Sequence, residues 1–182
     1  MRSLATGAPS PEQSTTDSTL LPGLAPRREW RLLVPLLLGA ILLAGLLLRL
    51  PFFAGSAPSA GWPLVLDEGN YVGLAQPLAA GEGIVDKWAW MRPPGYPAFV
   101  ASFLLLGLDL PAAALAQILL SVANIAAVYA LTVEVFRGRV SLGRARAAGL
   151  FAAGLLAANP QAAFYADLLM PETLYMLAIT VM

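Results

Sequence analysis

Asp67 and Glu68 are adjacent carboxylates at the head of a helical pattern, and Glu172 follows Pro171 at the head of another. Arg92 opens the run Arg92-Pro93-Pro94-Gly95-Tyr96-Pro97, a stiff turn with one cation, and Lys87 lies a little before it. A carboxylate held at a membrane surface is suited to take the proton of an attacking hydroxyl as general base. A guanidinium in a water-poor interface is suited to a phosphate, which it grips through paired charge-assisted hydrogen bonds. The chain has no Cys and no His. Disulfides, Cys/His zinc sites, thiol nucleophiles and Ser-His-Asp triads are therefore excluded. Acid–base chemistry falls to carboxylates, Lys or Tyr.

Each of these groups also has an ordinary structural use. Asp67 stands where a helix N-cap belongs and Glu68 where a first-turn acid complements the helix dipole. Glu172, directly after a proline at a helix start, fits the same description, as does Asp167 more weakly. Arg92 alone in its turn can snorkel, and Lys87 reads as a solvated loop charge that can assist Arg92. Successive helical residues point about 100° apart, so only one of Asp67 and Glu68 can address a given substrate atom. Asp67, at the very start, is the one expected to turn outward as base. Gln117 and Asn124 sit inside an apolar run and read as interhelical hydrogen-bonding amides, and Glu134 as a snorkelling acid near its end. Gly81-Glu82-Gly83 is not a nucleotide loop, since no strand pattern precedes it.

The elements that must position these groups are set by composition. The chain is 58% hydrophobic and 12% charged, about half the charged share usual in soluble domains. A polytopic, all-α membrane protein is the expectation. Eleven Lys plus Arg balance eleven Asp plus Glu, so net charge gives no reason to expect a nucleic-acid partner. Residues 1–26 are rich in Ser, Thr, Pro and Gly and read as a disordered tail. Apolar runs follow at about 32–50, 112–136 and 147–166. The run 171–182 is shorter than the roughly twenty residues of a span, so the chain reads as the N-terminal part of something longer. Arg49, near the far end of the first run, is expected to snorkel to the interface. Between the first two long runs, 51–111 carries acids, Trp62, Trp88 and Trp90, and a short amphipathic helix marked by Tyr71, Leu74, Ala75 and Leu78, ending or kinked near Pro77. The apolar run 96–108 is too short to span. If it does not cross, Arg27, Arg28, Arg31 and the basic turn of Arg137, Arg139, Arg144 and Arg146 all share one side, which the positive-inside rule makes cytoplasmic. The N-terminus is then cytoplasmic, and Asp67, Glu68, Lys87, Arg92 and Glu172 share the exoplasmic face of a multi-pass cell-membrane protein.

Taken in order, Leu66-Asp67-Glu68-Gly69-Asn70-Tyr71, Gly81-Glu82-Gly83, Arg92-Pro93-Pro94-Gly95-Tyr96-Pro97, the basic turn, Asn159-Pro160 and Pro171-Glu172-Thr173-Leu174 resemble the N-terminal third of a GT-C-fold glycosyltransferase. The closest group is the superfamily of dolichyl-phosphate-mannose protein mannosyltransferases and aminoarabinose lipid A transferases, over roughly residues 30 to 182. The resemblance implies a transmembrane helix bundle with exoplasmic juxtamembrane helices. It implies a polyprenyl-phosphate-linked sugar as donor, a lipid, glycan or protein hydroxyl as acceptor, and membrane lipids as surroundings. It places Asp67 in the active site as general base, Glu172 as a second acid, and Arg92, with Lys87, near the donor phosphate. Glu68 then supports Asp67, and Tyr71 and Tyr96 fall beside the substrate. A divalent cation assisting the phosphate is compatible with this pattern, and no residues are assigned as its ligands. The alternative is a non-catalytic membrane subunit, a transporter piece or an inactive remnant. Transporters place ionisable groups on broken helices near the midplane; acids gathered in loops favour the enzyme.

Overall fold

The computed structural model describes residues 29–56, 64–84 and 92–182. The expectations for the 1–26 tail, for Lys87 and for Trp62, Trp88 and Trp90 lie outside the described residues. Among the described residues seven helices follow one another: α1 (Glu29–Ser56), α2 (Glu68–Ala79), α3 (Gly95–Leu105), α4 (Leu110–Phe136), α5 (Leu142–Ala157), α6 (Pro160–Asp167) and α7 (Glu172–Val181). There is no strand among the described residues.

Among the described residues two helices are long and apolar enough to cross a membrane, over Leu32–Pro51 in α1 and Leu110–Phe136. At 1.5 Å per residue a span of 20 residues is about 30 Å long, the thickness of a hydrocarbon core. Their outward faces carry exposed leucines, among them Leu32, Leu36, Leu43, Leu47 and Leu119, as lipid contact requires and water does not favour. The run expected at about 147–166 is α5 and α6, which meet at 58°. The break has a local cause. Pro160 has no N–H to give and disfavours helical geometry at Asn159. Asn159 instead adopts an extended conformation and its Oδ1 accepts from the N–H of Ala162 at 3.0 Å, starting α6 afresh. α3, with 11 residues, is about 16 Å long and too short to span by itself.

α1, α4 and α5 pack together around Ile125, Ala153 and Ala157, with Leu38, Ile41 and Leu42 of α1 against them. Small residues bring α4 and α5 close, as expected for apposed helices in lipid. A Cβ on Gly149 would stand 3.0 Å from the Tyr129 carbonyl oxygen, and one on Gly45 would stand 2.6 Å from the Ile125 side chain. At one end of this bundle α2, α3 and the α6–α7 link form a second cluster around Tyr71, Ala75, Tyr96, Val100, Leu168 and Met170. Val72, Ala113, Ala114 and Leu169 join it to the first turns of α4. The basic turn between α4 and α5 lies at the opposite end of α4.

Arg49 corrects one expectation. It does not snorkel: its residue is fully buried. Its Nε donates to Ser121 Oγ at 2.9 Å and its Nη1 to the Gly45 and Ala157 carbonyls at 2.7 and 3.4 Å. Ala157 ends α5, where a helix leaves carbonyls without partners and the dipole favours a cation. Arg49 therefore finishes α5 and ties three helices.

Candidate active site

The chain reverses just before α2 at Leu66, whose φ of 52° lies in the left-handed region that bulky side chains avoid. The reversal delivers Asp67 and Glu68 to different surroundings. Asp67 holds the N-cap position, but its side chain makes no capping bond to α2. Its Oδ1 accepts from Asn70 Nδ2 at 2.9 Å and from Arg92 Nη2 at 3.3 Å. The carboxylate remains accessible, with the Asp67 side chain 54% exposed and that of Arg92 25%.

Arg92 is brought there by the stiff Pro93-Pro94 turn and by aromatic support. Its guanidinium carbon lies 5.1 Å from the centre of the Tyr71 ring, a cation–π distance. Tyr71 in turn meets Tyr96 edge-to-face at 5.3 Å, the arrangement ring quadrupoles prefer. Both tyrosines are buried. They form the floor beneath the Asp67–Arg92 pair rather than an open pocket wall.

Glu68 is turned inward and buried. Its Oε2 accepts from the N–H of Val65 and its Oε1 from the N–H of Leu169, each at 2.7 Å. One carboxylate thus fastens the turn before α2 to the α6–α7 link, 101 residues away in sequence. This is a charge-assisted brace at a helix start, and it leaves Glu68 no free face for a substrate. Gln117 makes a second brace. Fully buried on α4, it accepts from the Tyr96 hydroxyl at 2.6 Å and donates to the carbonyls of Tyr165, Ala166 and Leu168. An amide inside an apolar run marks an interhelical partner, but the sequence does not reveal that the partners are Tyr96 of α3 and the last turn of α6 with the residue that follows it.

Burial pushes the Tyr96 hydroxyl far above the ordinary phenol range, and the nearby carboxylates of Glu68 and Glu172 push it further. Tyr96 is a neutral hydrogen-bond donor in this fold. Glu172 heads α7 and is near enough to act on Tyr96, but the Asp67–Arg92 pair is a separate group. Glu172 instead lines a cavity of about 450 Å³ with Asn124, Tyr165, Tyr175 and others from α4, α5, α6 and α7. Its Oε2 is shielded and has no hydrogen-bond partner. Sequence reasoning singled out Glu172 and the two amides, and missed Ser121, Tyr165 and Tyr175, which carry no signal until the α5–α6 break folds them together.

Among the described residues no three Asp or Glu side chains gather as a set of metal ligands. Asp67 has a cation and an amide as neighbours, and Glu68 is spent on backbone N–H groups, so no reaction step is routed through a metal. No protein-family model, no curated protein and no solved structure matches this chain.

Proposed function

We propose that the chain carries the reaction end of an integral-membrane glycosyltransferase of the GT-C type, which moves a sugar from a polyprenyl-phosphate donor to an acceptor hydroxyl. The observation that carries this reading is the Asp67–Arg92 pair. The two motifs that bear the family resemblance contribute one side chain each, and these meet at 3.3 Å on an accessible surface. A base and a phosphate-binding cation side by side are what this reaction needs.

The acceptor oxygen bonds to the sugar's anomeric carbon as the bond from that carbon to the phosphate oxygen breaks, with inversion. Asp67 takes the hydroxyl proton during the attack, because a carboxylate is too weak to ionise an alcohol beforehand. The electron pair leaves with the polyprenyl phosphate, and Arg92 stabilises the growing charge. Arg92 rests on Asp67; a donor phosphate competes for the guanidinium and releases the carboxylate to act as base. Tyr71 and Tyr96 hold the guanidinium at its height, and Glu68 and Gln117 hold the platform. In the same reading the site is exoplasmic and the basic turn cytoplasmic, because the two lie at opposite ends of α4. Transfer of a labelled sugar from polyprenyl-phosphate donors to lipid or glycan hydroxyls, in membranes containing the protein, tests it; no transfer from any such donor rejects it.

A transporter component is a second reading, favoured by the 58° break between α5 and α6 beside a cavity and by the buried Arg49, since broken helices and buried charges mark translocation sites. Solute uptake into proteoliposomes without any transfer activity would select it.

A further inference from the structure

The cavity headed by Glu172 has a polar inventory that specifies its occupant. Several of its polar groups are already engaged: Asn159 Oδ1 caps α6, the Thr173 hydroxyl donates to the Tyr165 carbonyl at 3.2 Å, and Ser121 accepts from Arg49. Two buried oxygens stand out. Asn124 Oδ1 and Glu172 Oε2 are both shielded from solvent with no partner among the described residues, and Asn124 as a residue is only 4% exposed. Burying an acceptor without a donor is costly, so these two oxygens mark a place where a donor belongs. The last torsion of each side chain is soft, and a small turn presents either oxygen to the cavity that both residues line. The rest of the wall is aromatic and aliphatic: Tyr165, Tyr175, Met176 and Ile179.

Charge decides between a cationic and a neutral donor. Arg49 is fully buried and donates to Ser121, which lines this cavity, and its Nη2 has no hydrogen-bond partner among the described residues. A cation therefore already stands behind this wall. An ammonium ligand would add a second positive charge beside it in a low-dielectric place, whereas a neutral hydroxyl group supplies the donors without one. The volume, about 450 Å³, falls in the range of small-molecule sites.

We infer that this cavity is a binding site for a neutral hydroxylated amphiphile, with hydroxyls donating to Asn124 and Glu172 and an alkyl body against Met176 and Ile179. The site lies apart from the Asp67–Arg92 pair and takes an uncharged ligand, so it neither requires nor duplicates the phosphate-bearing donor of the transfer reaction.

The test is calorimetric titration of the protein in phosphatidylcholine nanodiscs with n-hexyl β-D-glucoside. Parallel titrations use hexylammonium and hexyl methyl ether. Saturable binding of the glucoside is expected, with the other two at least about tenfold weaker, the scale of one hydrogen bond to a charged group. Asn124→Leu, close in branched shape to the native side chain, should weaken the glucoside by about tenfold and leave the ether unchanged. Ala162→Phe, which fills the cavity from the half-buried face of α6, should abolish binding while circular dichroism and elution volume stay native. Tighter binding of hexylammonium overturns the charge argument and with it the proposal. Equal binding of ether and glucoside, glucoside binding indifferent to both substitutions, or no saturable binding at all overturns it as well. None of these outcomes depends on sugar transfer, so the site and the transferase reading fail separately.

Discussion

Arg92 Nη2 lies 3.3 Å from Asp67 Oδ1, so the cation of one loop motif rests on the first acid of another, 25 residues apart in sequence. The pair is half open to solvent on the Asp67 side and is worth at most about 1 kcal/mol to the fold. Its components can therefore be changed without unfolding the protein. Arg92→Ala should leave thermal unfolding nearly unchanged and weaken binding of a polyprenyl-phosphate sugar by at least about tenfold, the scale of a lost charge-assisted bond. Arg92→Lys should recover only part, since an ammonium cannot make the paired bonds or lie flat on Tyr71. Equal donor binding by wild type and Arg92→Ala would remove Arg92 from the phosphate role.

Glu68 should behave in the opposite way. Removing its carboxylate strands the N–H groups of Val65 and Leu169, the latter deep in the structure. Each stranded group costs about 1–3 kcal/mol, so Glu68→Ala should lower stability by roughly 2–4 kcal/mol and drop the unfolding midpoint in detergent. Glu68→Gln keeps one acceptor and should cost about half as much. A midpoint unchanged in Glu68→Ala would show that the brace is not made.

The contrast between these neighbours was only partly legible in the sequence. The 3.6-residue pattern of Tyr71, Leu74 and Ala75 gives α2 and its buried face, and the apolar runs at 32–50 and 112–136 give the two long helices, whereas the run at 147–166, read as a third span, is a pair bent by 58°. Rotation of about 100° per residue separates Asp67 from Glu68. It does not tell which one faces inward, because that depends on Leu169, a partner 101 positions along the chain. Arg49 shows the same limit. Position near a span end suggests snorkelling, but the unpaired carbonyl at the end of α5 offers it a buried partner that no local pattern reveals. The bend at Asn159-Pro160 was written locally, in a proline and a capping amide. Its consequence, a cavity between α4 and α7, was not.

Close approach of α4 and α5 at Gly149 gives a packing prediction. A Cβ there meets a backbone carbonyl oxygen at 3.0 Å as well as the Tyr129 and Val133 side chains. Backbone cannot swing aside as a side chain can, so Gly149→Ala should destabilise by about 1–3 kcal/mol. Gly154→Ala, with nothing within 4 Å of its Cβ position, should be neutral or slightly stabilising through helix propensity. Equal thermal midpoints for the two variants would contradict the close contact.

Tyr96 gives a pH prediction. Its hydroxyl is held above its ordinary value near 10.0 by burial first and by neighbouring negative charge second. In the unfolded chain the phenol ionises near that ordinary value, so above it the unfolded state binds fewer protons than the folded one. Stability from this group is fully present below pH about 10 and declines as pH rises beyond it. Tyr96→Phe should be less stable at pH 7, having lost its bond to Gln117, and should show a shallower alkaline decline. A decline equal to that of wild type would assign the alkaline loss to other groups.

Membrane orientation is tested by single cysteines in this cysteine-free chain. Ala80→Cys, after α2, and Leu106→Cys, after α3, should both react with an impermeant thiol reagent added outside intact cells. Arg139→Cys, in the basic turn, should react only after permeabilisation. If Leu106→Cys were protected while Ala80→Cys reacted, α3 would cross the membrane and the shared exoplasmic face would be lost.

The central claim is that Asp67 is the base of a sugar transfer, and Asp67→Asn measures it most directly. Asparagine keeps the size and the hydrogen-bonding reach toward Arg92 and Asn70 but accepts no proton of use. Loss of a positioned general base lowers turnover by about 10²–10⁴-fold. With a polyprenyl-phosphate sugar donor and a hydroxyl acceptor, the account predicts that fall in turnover with thermal midpoint and donor binding nearly those of wild type. Turnover by Asp67→Asn above about a tenth of wild type, well short of the loss of a general base, would contradict it.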